Sequence, residues 1–164
     1  MTLKISSEHF EYLRRHGEET YPHECCGVLV GQAGDAGSRT VLDVIRCGNT
    51  REDSPRNRYQ IDPRDLIRIQ RESHMAGREI VGFYHSHPDH PAQWSVTDLA
   101  EAHWTECSYI ITSVEQGEAA LTNSFLLLGE EETKHFEEEE IQIESARSSG
   151  ESRGEPRDEF REGN

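Results

Sequence analysis

The sequence predicts a single mixed α/β (α+β) domain, with one mixed β-sheet flanked by helices. Three observations carry that expectation. The length of 164 residues suits one domain with a real core. Short β-rich apolar runs such as ECCGVLVG, EIVGFYHSH and SYIITSV alternate with helical patterns. Some of those runs are joined by glycine-containing turns rather than by helices, which brings hairpins into the same sheet. The length also excludes a (β/α)8 barrel, which needs about 250 residues.

Taken in order, Ser7 to Arg15 opens with Ser and Glu and carries Phe10 and Leu13, the pattern of a short capped helix. After the breaker Tyr21-Pro22, ECCGVLVG reads as a strand, GQAGDAG as a turn and TVLDVIRC as the hairpin partner. Arg51 to Asn57 is a polar loop, and RYQID predicts a short strand. Pro63 starts a helix through about Ala76, with Leu66, Ile67 and Ile69 in a partial apolar stripe. EIVGFYHSH is then a strand, HPAQW a loop and SVTDLAEAHW a helix. SYIITSV and ALTNSFLLL are two strands around the turn EQGEA, and KHFEEEEIQIES is a last strand or extended segment. From Ser145 the composition collapses to Ser, Gly, Arg, Glu and Pro, which cannot bury a core. The expected organisation is one catalytic domain over 1–144 and an acidic, disordered tail over 145–164.

The net charge is −15, from 32 acids against 17 Lys and Arg, which argues against a nucleic-acid partner. From Gly129 onward stand 13 acids against 5 Lys and Arg, a run that reads as a solvating face or tail. No apolar run approaches the roughly 18 residues of a membrane span, and Met1 to Phe10 has no signal-peptide character. A soluble, cytoplasmic chain without a membrane partner is expected. Cys25, Cys26, Cys47 and Cys107 form no C-x-x-C pair, and the adjacent Cys25 and Cys26 point to opposite faces of a strand. They are expected to be reduced packing residues rather than zinc ligands.

The chemistry concentrates in residues 83 to 98, FYHSHPDHPAQWSVTD, which parse as a metal site in two ways. One takes His85, His87, Asp89 and His90 as a compact H-x-H-x-D-H cluster, the signature of metallo-β-lactamase-type hydrolases. That chemistry needs further ligands downstream, yet His103 falls in a predicted helix and His135 in the acidic terminal segment. The other takes His85, His87 and the distant Asp98. His85 and His87 lie on one face of a strand about 6.6 Å apart, close enough to share one zinc. A catalytic zinc wants three protein ligands and one open position. Asp98 would complete the set from the first turn of a helix, where a carboxylate also suits the helix dipole. Ser95-x-x-Asp98 is in addition a helix-capping pattern, and capping is compatible with ligation. A hydrolytic site also needs a base, and Glu24, where the chain enters the sheet, is placed to take a proton from water and pass it to a leaving amine.

Glu24, H-S-H-P at 85 to 88, Ser95 and Asp98 together resemble the JAMM or MPN-plus metalloprotease motif, E…H-[ST]-H-x7-S-x-x-D, at every motif position. The blocks YPHECCGVLVG, RYQIDPRDL and VGFYHSHPDHPAQWSVTDLAEAH are similar to the small prokaryotic branch of that family, and the resemblance covers residues 3 to 128. It implies the JAMM/MPN fold, related to the cytidine deaminases. It implies Zn2+ on His85, His87 and Asp98, Glu24 as general base and then acid, and Ser95 as a hydrogen-bond donor to the oxyanion or bound water. The implied activity is hydrolysis of an amide or isopeptide bond at the C-terminal tail of a ubiquitin-like sulfur-carrier protein ending in Gly-Gly. The implication leaves room for a homodimer. The length leaves no space for the large insertions of the deubiquitinating branch. The competing expectation is a metal-free MPN-type scaffold or binding module. Such domains lose one or more ligands, and this chain has lost none.

Overall fold

The computed structural model describes residues 1–51, 58–145 and 157–158. Its elements run β1 (Thr2–Ser6), α1 (Ser7–Thr20), β2 (Cys26–Ala33), β3 (Ser38–Cys47), α2 (Pro63–Met75), β4 (Glu79–Pro88), α3 (Val96–Glu101), β5 (Ser108–Glu115), β6 (Glu118–Leu128), β7 (His135–Glu144) and β8 (Arg157–Asp158). The strands form one mixed sheet in the order β1-β7-β6-β5-β4-β2-β3-β8. β1 pairs in parallel with both β7 and the start of β3, so the sheet curls back on itself.

Strand alternation explains why both faces are covered. Cys26, Val28 and Val30 of β2 join Phe83 and Ile69 in one apolar cluster, while Cys25 and Leu29 join Leu13 and Tyr84 in another. The first cluster lies under α2, the second under α1. Each fully buried Leu or Val contributes about 1.5–3 kcal/mol. All four cysteines are buried, Cys26 and Cys47 in one apolar cluster and Cys25 in the other. Gly27 is glycine because any Cβ there would collide with the ring of Tyr84. That ring crosses to α1, where its hydroxyl lies 2.8 Å from His16 Nδ1.

Local signals set the helix starts. Ser6 caps α1 by accepting from His9 N at 3.1 Å, and Asp62 caps α2 by accepting from Arg64 N, with Pro63 in the first turn. α1 runs five residues beyond the expected end, because Leu13, His16 and Gly17 bury against the sheet. The acidic run of β7 is a strand because Glu139 turns inward, where Ser124 Oγ donates to it at 2.8 Å and Arg39 lies 3.4 Å away.

Three expectations are corrected. β1 was not foreseen, since its five residues are too few to show a period. RYQID is not a strand but an extended loop, held by the Thr50 N–Gln60 O bond of 2.9 Å. α3 ends at Glu101, short of the SVTDLAEAHW window. The expected disordered tail, 145–164, lies almost wholly outside the described residues, of which Arg157 and Asp158 pair with Ile45 and Arg46. Among the described residues, no helix is long and apolar enough to cross a membrane.

Candidate metal centre

β4 is the strand that delivers the histidines. It lies between β2 and β5, and its alternation puts His85 and His87 on the same face as Phe83, with His85 opposite Cys26 in register. Their Nε2 atoms face each other at 3.2 Å. Asp98 comes from the first turn of α3, with Oδ1 at 3.3 Å from His85 Nε2 and Oδ2 at 3.1 Å from His87 Nε2. Glu24, just before β2, brings Oε1 to 3.9 Å from His87 Nε2. Glu24 and His85 are almost wholly buried, at 2% and 1% exposure.

The capping box and the histidine contacts share one carboxylate. Ser95 Oγ accepts from Asp98 N at 3.0 Å, and Asp98 Oδ2 accepts from Ser95 N at 2.9 Å. Ser95 is exposed. Its hydroxyl acts as an acceptor in this cap, so its own proton stays available to donate.

The geometry of the site suits a cation. His87 Nδ1 lies 2.9 Å from the carbonyl oxygen of Pro91 and must donate to it, which leaves Nε2 with a lone pair in the neutral ring. That nitrogen then faces His85 Nε2, the carboxylate of Asp98 and Glu24 Oε1. Glu24 Oε2 and His85 Nδ1 are buried with no hydrogen-bond partner among the described residues. The three separations of 3.1, 3.2 and 3.3 Å match the edge of a zinc tetrahedron, roughly 3.3 Å for bonds of about 2.0–2.1 Å. Glu24, His85 and His87 also bring ligand atoms within 4.8 Å of one another, a cluster that could hold a metal ion. The residues present fit zinc.

Without a cation the charges compete. Burial, then the charges of Asp98 and Glu101, push the Glu24 carboxyl up to about 9. Burial holds His85 below its ordinary value. Burial also opposes charging of His87, but its bonds to Asp98 and Pro91 prevail and raise it. Burial works against an ionised Asp98, yet its contacts with His85 and His87 hold it well below the carboxylate range.

The compact alternative does not assemble. Asp89, at φ +56°, accepts from Tyr21 Oη at 2.6 Å and from Gln116 N at 2.8 Å, tying the end of β4 to the β5–β6 turn. Asp89 and His90 are exposed. His103 lies 3.4 Å from Glu131 and His135 3.3 Å from Glu137, both away from β4's histidines.

Two residues were missed by the sequence reading. Tyr59 stacks on the His85 ring with centroids 4.5 Å apart and planes at 24°. Asn49 reaches from the end of β3 to the backbone of Glu24. Tyr59 also lines a cavity of about 370 Å³ with Ile61, Leu66, Phe83, Trp104 and Tyr109, and Arg51 and Glu101, an ion pair of 3.5 Å, are among its lining residues.

Residues 6–128 match the model of prokaryotic homologs of the JAB domain. A desampylase of Haloferax volcanii is 40% identical over 92 residues, covering 56% of this chain and 63% of its own length. A probable TtuB-protein conjugate cleaving protease of Thermus thermophilus is 35% identical over 104 residues, covering 63% and 66%. The chain thus spans just under two thirds of the length of each of these relatives. A solution structure of a Salinibacter ruber protein is 31% identical with a TM-score of 0.66, covering 94% of this chain and 99% of that one. Another, from Desulfitobacterium hafniense, is 28% identical with a TM-score of 0.73, covering 87% and 93%.

Proposed function

The chain belongs to the family of prokaryotic homologs of the JAB domain, and on that premise we propose that it is a zinc-dependent hydrolase of ubiquitin-like protein conjugates. It cuts an amide or isopeptide bond at the C-terminal Gly-Gly tail of a ubiquitin-like, sulfur-carrier-type protein. The relatives named for cleaving such conjugates support the substrate class. The observation that carries the reading is the convergence of His85 Nε2, His87 Nε2 and the Asp98 carboxylate at 3.1 to 3.3 Å, beside the buried Glu24. Kinship of the sheet with the cytidine deaminases, cytoplasmic residence and a homodimer belong to the same reading.

His85, His87 and Asp98 would hold the ion. When bound it would supply Lewis acidity, able to lower the pKa of a water from about 15.7 to roughly 7. Glu24 takes the proton of the attacking water at its carboxylate and returns it to the leaving amine. Its Oε2, buried and with no hydrogen-bond partner among the described residues, is the oxygen for that transfer. Ser95 Oγ–H donates to the oxygen that gains charge as the carbonyl becomes tetrahedral. The aromatic cavity that Tyr59 lines gives the substrate tail an apolar wall.

A ubiquitin-like carrier joined through Gly-Gly to a reporter amine tests this. The parent releases the reporter, and chelator or Glu24→Ala abolishes release. Metal-free parent that releases it at the full rate overturns the reading, and parent that binds no metal at neutral pH favours the scaffold alternative.

A further inference from the structure

Metal-bound histidines are ordinarily oriented by a hydrogen bond from the second ring nitrogen. His87 has one, to Pro91 O at 2.9 Å. His85 does not: its Nδ1 is buried and has no hydrogen-bond partner among the described residues. Its ring is nevertheless confined. One face lies against Tyr59, nearly parallel at 4.5 Å, and His87 tilts across its edge with centroids 5.0 Å apart.

Tyr59 sits in irregular chain, with no ladder of strand hydrogen bonds to fix it. The backbone on either side is held by one side chain instead. Asn49 Nδ2 donates to Arg58 O at 3.0 Å, and Gln60 N donates to Asn49 Oδ1 at 3.0 Å. The same amide donates to Glu24 O at 3.3 Å and accepts from Arg51 N at 3.0 Å. Two donors and two acceptor sites are the full capacity of an asparagine amide, and here all four are used. Thr50 adds its backbone N–H and its hydroxyl to Gln60 O, at 2.9 and 3.0 Å.

We infer that Tyr59 is the positioning residue for the His85 imidazole, replacing the missing hydrogen bond by ring stacking, and that Asn49 acts through Tyr59 by clamping the backbone on both its sides. The aromatic face is what matters, since stacking needs the ring and not the hydroxyl. The inference rests on the zinc site proposed above.

The test is zinc affinity, measured by competition with a chromophoric chelator, together with the visible spectrum of the Co2+-loaded protein. Far-UV circular dichroism checks folding. Tyr59→Phe keeps the parent's affinity within about twofold, and Tyr59→Leu weakens it about tenfold or more and alters the Co2+ bands. Asn49→Asp, which keeps the shape and loses both donors, weakens zinc by a similar factor. The double variant Asn49→Asp/Tyr59→Leu is no weaker than the worse single one, because both act on one ring. If Tyr59→Leu does not fold, Tyr59→Met carries the same prediction. A folded Leu or Met variant with the parent's affinity and spectrum overturns the inference. So does a Tyr59→Phe variant as weak as Leu, or losses that multiply in the double variant. A parent that binds no zinc overturns the proposed function itself, which is a separate outcome.

Discussion

The carboxylate of Asp98 meets His87 through Oδ2, at 3.1 Å, the same oxygen that accepts from the backbone of Ser95 and so caps helix α3. Helix start and candidate ligand set are therefore one construction. Ser95 and Asp98 hold each other while each keeps a function toward the site: the serine its proton, the aspartate its Oδ1, 3.3 Å from His85 Nε2.

Ser95→Ala separates these duties. It removes the Oγ acceptor for Asp98 N but leaves the Ser95 N bond to Asp98 Oδ2. The helix cap costs about 1 kcal/mol when lost, read as a lowered midpoint in urea. Loss of the oxyanion donor lowers kcat by about 10²–10³, while bound zinc per chain stays at the parent's level. A variant with normal kcat contradicts the role given to Ser95.

Glu24 predicts a pH dependence of the metal-free protein. Its folded pKa is raised from 4.5 to about 9, so its neutral form is favoured by folding. That contribution is fully present below 4.5 and is lost as pH rises toward 9. Glu24→Gln, always neutral, abolishes the loss. In thermal melts with chelator present, the Tm advantage of Glu24→Gln over the parent grows between pH 5 and pH 9. A constant difference across that range contradicts the burial-driven shift.

His16 acts on the acid side. Burial, and then the charge of Arg46, lower its pKa from 6.5 to about 3, and its ring is bonded to the hydroxyl of Tyr84. Stability is therefore intact above 6.5 and is lost as pH falls toward 3, because the unfolded chain takes up a proton that the folded chain refuses. His16→Gln is expected to show a flatter stability profile between pH 6.5 and pH 3, measured by denaturant melts. An unchanged slope contradicts this.

Most of the architecture was legible because its signals are local. The turn GQAGDAG, Pro63 behind the capping Asp62, and the alternation in ECCGVLVG each act within a few residues. The same holds for the histidine pair on β4 and for Ser95-x-x-Asp98. What was hidden depends on distant partners. β1 exists because β3 and β7 offer it two edges. RYQID has strand composition, but no strand among the described residues pairs with it, and Tyr59 stacks on His85 instead. Asn49 in CGNT looks like any turn residue, and only the fold reveals that its amide spans Glu24, Arg58 and Gln60. Asp89 misleads in the other direction, since its place in H-S-H-P-D-H suggests a ligand while its carboxylate is spent on Tyr21 and Gln116.

The most direct test of the central claim is bound zinc per chain at neutral pH, measured side by side in the parent, Asp98→Ala and His90→Ala. Zinc is expected in the parent and in His90→Ala, and is expected to be lost in Asp98→Ala. Loss in His90→Ala with retention in Asp98→Ala would place the metal on the compact cluster and contradict the site, and the function with it.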